Sequence, residues 1–292
     1  MKKILVFAIL STALIACKNK SADQNAVQAD EFKAFTEKVE AIDMNVRTPN
    51  DLMDMLELSM VDFIPELIND PNNSDKYLSN EVLAAANMSV YLVDALYQYS
   101  SHEFNNGYYS MMAAKNLATK LGMGAGFDEM ILERYTDLNP NVDSFLVRLN
   151  ENIIASETVL KEQDKMRLFA GLIGGNYIEK QYILFNIIFK SNVDLPDTSR
   201  LITMREILYA ARKHMNKLPE VIALIESIKE ETDPGTILNE LKAIEAIRQQ
   251  NILPEDISQI TPSQVFENPN FLAMFEKIKE VRSMIVAVPE PE

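Results

Sequence analysis

Apolar residues recur at helical spacing along nearly the whole chain, and no segment sustains the period-two alternation of a strand. In the clearest stretch Val82, Ala86, Val90, Val93 and Tyr97 advance by four, four, three and four. That is the rhythm of a buried helix face. Leu83, Leu92 and Leu96 widen the stripe, which places this helix, read as residues 79–104 with Ser79 as its N-cap, at the centre of the fold. Asn105-Asn106-Gly107 reads as a loop, and residues 108–121 return with Met111, Ala114, Leu117, Ala118 and Leu121 on one side. The two helices are expected to form an antiparallel hairpin, closed by Gly122 as a left-handed C-cap.

Elsewhere the same period marks further helices. Residues 31–45 align Phe32, Phe35, Val39 and Ile42, and residues 51–63 align Leu52, Met55, Leu56, Met60 and Phe63. Pro49 and Pro65 interrupt them, since proline disfavours helix before it and within it. Asp70-Pro71-Asn72-Asn73 is a turn. Helices follow at 128–138, 141–161 and 164–190, the last apolar all round from Tyr182 to Phe189 and therefore buried. After Asp194-Leu195-Pro196-Asp197, a stripe of Met204, Leu208, Ala211, Met215 and Leu218 restarts the pattern. Pro219, Asp233-Pro234 and Asn268-Pro269 open the remaining helices, and the last one carries Phe271, Phe275, Ile278 and Ile285.

The chain has no Trp, only 8 Gly and as many as 15 Met, a helical composition. The expected fold class is all-α: an irregular bundle of about ten helices paired as αα-hairpins, TPR-like in part, with no fixed repeat period. Residues 31–288 read as one domain, with a candidate sub-division at 191–198 and a disordered tail at 289–292. Gly171 and Gly175 lie four apart in an otherwise good helix, with Gly174 beside them. Each costs about 1 kcal/mol relative to alanine. Close approach of a neighbouring helix, at Ala84-Ala85-Ala86 or Ala113-Ala114, would offset that.

The N-terminus carries a different message. Lys2 and Lys3 precede an apolar run from Ile4 to Ile15, broken only by Ser11 and Thr12. This run is long enough for a signal-peptide core and short of the roughly 20 residues a membrane span needs. Leu14-Ile15-Ala16-Cys17 then supplies an aliphatic, an aliphatic, a small residue and the only cysteine of the chain. The pattern is that of a lipoprotein signal. Residues 1–16 are expected to be removed and Cys17 to carry the lipid, with 17–30 as a polar tether. Stable attachment needs at least two acyl chains. Lys18 stands where aspartate would favour inner-membrane retention, which points to the outer membrane. With Cys17 acylated no disulfide is available, so stability rests on burial.

The formal net charge is −15. A phosphate backbone needs a basic patch, so nucleic acid is not an expected partner. Gly122-x-Gly124-x-Gly126 follows a helix and lacks the lysine and hydroxyl of a phosphate loop. His102 and His214, the only histidines, lack the carboxylate spacing of helical metal sites and read as partly exposed helix residues. No Gly-x-Ser-x-Gly occurs. No catalytic residue, metal site or cofactor is expected. Six of ten tyrosines fall between Tyr77 and Tyr109, and Tyr91, Asp94 and Gln98 share one helix face. Together with Glu179, an acid on a nearly apolar helix, they form a candidate groove for a peptide or glycan. The plainer expectation for Glu179 is a hydrogen bond to a tyrosine or lysine.

Four local patterns go together: Tyr91-x-x-Asp94-x-x-Tyr97, Ala118-x-x-Leu121-Gly122, Phe127-Asp128-Glu129, and Gly174-Gly175-x-x-x-Glu179-x-x-Tyr182. The block from Tyr91 to Tyr182 resembles a group of uncharacterised all-helical lipoproteins of Bacteroidota. The resemblance implies fold class and location, and no activity. The functional expectation is a non-catalytic, lipid-anchored cell-envelope scaffold or binding protein. Its partners would be the membrane, through Cys17, and an envelope protein or peptide. The alternatives are a carboxylate-based enzyme acting on an envelope polymer and a small-ligand carrier.

Overall fold

Prolines and asparagines set the first boundaries. In a computed structural model of the chain, the described residues are 62–124, 160, 165–190, 197–228, 235–250 and 260–288. All of them belong to the contact unit Ile42–Glu292. Pro65 opens a short 3-10 helix, Pro65–Leu67, and Asp70-Pro71 opens a second, Pro71–Ser79, where the Asp70 carboxylate accepts from the Asn72 amide at 3.0 Å. Among the described residues eight α-helices follow: α1 (Glu81–Ser100), α2 (Phe104–Leu121), α3 (Met166–Lys190), α4 (Asp197–Met215), α5 (Leu218–Glu226), α6 (Gly235–Arg248), α7 (Pro262–Phe266) and α8 (Pro269–Ile285). Among the described residues there is no strand, so the protein is all-α. The expected helices at 31–45, 51–63, 128–138 and 141–161, the tail 289–292 and Cys17 with its flanks lie outside the described residues, apart from Asp62, Phe63 and a helical Leu160.

Helix α1 is the centre. Every residue from Ala84 to Ser100 is buried, and its broadest packing partners are α3 on one side and α2 on the other. The N-cap is Asn80 rather than Ser79: its side chain accepts from the amides of Val82 and Leu83 at 3.0 and 3.1 Å. The hairpin turn also sits earlier than turn chemistry suggests. Helix α1 ends at Ser100, His102 takes a positive φ of 62°, and α2 begins at Phe104. Asn105-Asn106-Gly107 therefore lies inside the first turns of α2. Gly107 is placed by packing, since a β-carbon there would meet the Tyr99 ring at 2.6 Å. His102 is accordingly an exposed turn residue and not a helix residue.

The glycines of α3 meet the alanines of α1. A β-carbon on Gly171 would lie 2.5 Å from the Val82 carbonyl oxygen, and one on Gly175 would strike the Ala86 carbonyl oxygen and its Cα. Glycine spacing of four thus brings two backbones together, and the dispersion contacts so gained offset the poor helix propensity. Gly174 faces Ile237 of α6 instead. Further along α3, Phe185 and Phe189 stack on Phe271 and Phe275 of α8, with Phe189 and Phe275 centroids 4.5 Å apart. This is why the end of α3 carries no polar face. Gly122 caps α2 at φ 84°, and the Asn268 side chain caps α8.

Candidate functional site

Asn87, Tyr91 and Asp94 occupy positions i, i+4 and i+7 of α1, one polar stripe down a mostly apolar helix. The stripe faces the segment 64–79 and the end of α8. Asn87 donates to the Ile285 carbonyl at 2.6 Å and accepts from the Asn69 side chain at 3.2 Å. Tyr91 donates to the Asp70 carbonyl at 2.8 Å. Asp94 accepts from the Asn69 amide at 3.0 Å. Tyr77 completes this layer, its hydroxyl lying 3.2 Å from Asn69 Oδ1 and 3.0 Å from the Val286 carbonyl, two acceptors for one proton.

Glu179 of α3 enters from the other side and is fully buried. Its partner is Arg282, in the last turn of α8: Nε donates to Oε2 at 3.1 Å and Nη2 reaches Oε1 at 3.4 Å. The expectation of a tyrosine or lysine partner is thereby corrected. Tyr182 contributes differently. One turn along α3, its ring supports the Arg282 guanidinium at 4.7 Å. Nη2 of Arg282 also donates to the Leu67 carbonyl at 2.9 Å, so one guanidinium ties α8 to α3 and to the first 3-10 helix.

Asp94 also comes within hydrogen-bonding reach of the Glu179 carboxyl group. Burial pushes the Asp94 carboxyl well above the usual carboxylate range, and the nearby Glu179 charge raises it further against the pull of Arg282. Burial opposes the Arg282 charge, but Glu179 and Asp94 together hold that guanidinium above its usual value. Tyr91 and Tyr182 are raised as well, chiefly by burial.

Of the four residues expected to line a groove, the structure brings Asp94 and Glu179 together. Tyr91 lies in the same layer, on the Asp70 carbonyl. Gln98 points elsewhere and accepts from Ser110 of α2 at 2.7 Å. All four are buried, so in this conformation they are interior. Sequence reasoning missed Asn69, Tyr77, Asn87 and Arg282. Asn87 had a signal, an amide in an Ala-rich helix two turns before Asp94. Arg282, 103 residues from Glu179, had none.

A second polar group lies on the other side of α3. His214, in the last turn of α4, stacks on Tyr177 at 4.7 Å, and its Nδ1 is 2.7 Å from Gln181 Nε2. Burial, followed by the charge of Lys180, pushes the imidazole down to about 3, although part of the residue reaches solvent. Among the described residues no cluster of His, Cys, Asp and Glu has the makings of a metal site, and no helix is long and apolar enough to cross a membrane. No family model, curated protein or solved structure matches this chain.

Proposed function

We propose that the protein is a lipid-anchored helical scaffold of the cell envelope that binds a protein or peptide and carries out no chemistry of its own. The observation that carries the placement is the apolar run ending in Leu14-Ile15-Ala16-Cys17. On this reading Cys17 is acylated, residues 17–30 tether the domain, and Lys18 directs it to the outer membrane. The likeness to helical lipoproteins of Bacteroidota and the pairing of helices into TPR-like hairpins belong to the same reading. The α1–α2 pair, joined by a three-residue turn, supports the pairing. A non-catalytic role is supported by the use the chain makes of its most unusual acids. Glu179 and Asp94 are fully buried and are bound by Arg282 and the Asn69 amide. An enzyme acting on an envelope polymer needs its acids at a surface that the polymer can reach.

The test is metabolic labelling of cells with an alkyne fatty acid. Wild-type chain is expected to take up label and to sediment with membranes, and Cys17→Ala to do neither. Mass spectrometry finding a free Cys17 thiol or an uncut leader in the native product overturns the placement. Affinity capture from envelope extract, with a scrambled-surface variant as control, tests the binding role. Recovery of the same proteins by both counts against it.

A further inference from the structure

Asp94 and Glu179 place two carboxyl groups in a junction from which solvent is excluded, and among the described residues Arg282 is the cation that acts on both. With both acids ionised, the group would hold an uncompensated negative charge in the core, which is costly. The hydrogen bonds show the same imbalance. Both Glu179 oxygens face the guanidinium, and Asp94 Oδ2 accepts from the Asn69 amide. Asp94 Oδ1 is buried and, among the described residues, meets no donor. Two ionised carboxylates within reach of each other cannot satisfy it, since neither has a proton to give.

We infer that Asp94 carries a proton at neutral pH, held on Oδ1 and donated to Glu179, so that the junction of α1, α3 and α8 is latched by a protonated acid. The proton is placed on Asp94 because both Glu179 oxygens already accept from the Arg282 guanidinium, whereas Asp94 Oδ1 has no donor among the described residues. It satisfies the stranded oxygen and brings the group to neutrality in one step. The other titratable groups around the pair do not compete for this role. Tyr91 of α1 and Tyr182 of α3 are phenols held protonated by burial, and Tyr77, in the second 3-10 helix, is raised the same way. Asp70, on that segment, presents its carbonyl to Tyr91, and its carboxylate caps Asn72. Lys279, one turn before Arg282 on α8, pairs with Glu276 at 2.9 Å and lies over Phe275.

The latch makes the junction sensitive to alkali. The folded state holds a proton that unfolded Asp94 gives up above the ordinary carboxylate range. Stability from this group is therefore complete in acid and is lost as pH rises toward the folded-state value. The device is a pH-responsive joint between the central helix and the C-terminal one, independent of any partner the domain binds.

Proton release on unfolding of the full-length chain in detergent, read from the buffer dependence of the calorimetric enthalpy, tests it. At about pH 7.5 the wild type should release about one more proton than Asp94→Asn. Asparagine keeps the acceptor for the Asn69 amide and offers an N–H to Glu179. The variant should match or exceed the wild type in denaturation midpoint at this pH, and lead by more at pH 9. Equal proton release by the two chains, or a variant weakened equally at every pH, overturns the inference. If the variant does not fold, carbon-13 carboxyl spectra of the wild type decide. An Asp94 resonance that stays in its protonated position through pH 7 supports the latch, and one that titrates near pH 4 removes it.

Discussion

Gly175 and Ala86 touch backbone to backbone: a β-carbon built on the glycine would fall within 2.8 Å of the alanine Cα. The obstruction is main chain, which cannot rotate away. Gly175→Ala should therefore destabilise the fold by about 2 kcal/mol or more despite alanine's better helix propensity. Gly174→Ala meets side-chain atoms instead, the Cγ2 methyl of Ile237 and, at 3.9 Å, Leu241 Cδ1, and should cost less. Urea denaturation of the two variants side by side checks the order.

Arg282→Met leaves Glu179 buried without its cation and the Leu67 carbonyl without its donor. The expected loss is about 3–5 kcal/mol, in the range found when one partner of a buried ion pair is removed. Adding Glu179→Gln should recover part of that loss, because the uncompensated charge goes with it. A double-mutant cycle by chemical denaturation measures the coupling.

His214 predicts the opposite pH trend from Asp94. Its folded-state value is pushed down to about 3, below the ordinary imidazole. The unfolded chain therefore takes up the proton first as pH falls below about 6.5. Stability from this group is complete above that value and declines toward about pH 3. The slope is at most about 1.4 kcal/mol per pH unit and is lessened by the partial exposure of the ring. His214→Gln should flatten the wild-type profile between pH 6.5 and 4 in thermal melts, relative to its own value at pH 7.5.

Tyr77→Phe removes a hydroxyl that serves the Asn69 side chain and the Val286 carbonyl. A cost of about 1–2 kcal/mol is expected, since a buried acceptor loses its donor while the ring stays in place. Amide exchange should quicken first at the C-terminal end of α8, next to that carbonyl.

Helix periodicity and the special residues were enough to place much of the fold. The stripe Met204, Leu208, Ala211, Met215 and Leu218 is buried throughout, Gly122 is a left-handed cap, and the Gly171–Gly175 pair meets Ala85 and Ala86. Each of these is decided within a few residues or by a strong steric rule. Turn chemistry misled at Asn105-Asn106-Gly107, where the fit of Gly107 against Tyr99 outweighed local preference and moved the turn to His102. Glu179 stood out by sequence as a buried acid, but its counter-charge on α8 depends on how distant helices cross. The grouping of Gln98 with Tyr91 and Asp94 failed for a related reason. On a helix buried all round, sharing a face does not mean sharing a neighbour, and Gln98 turned to α2.

The amide of Asn87 and the hydroxyl of Tyr77 bind carbonyls 198 and 209 residues further on, those of Ile285 and Val286 at the end of α8. A nascent chain holding everything up to α6 would still lack the carbonyls that Asn87, on the central helix, and Tyr77, packed beside it, bind in the finished fold. Completion of the core thus waits for the synthesis of α8, and truncations that spare every helix but α8 should loosen the contacts of the central helix as well as the edge.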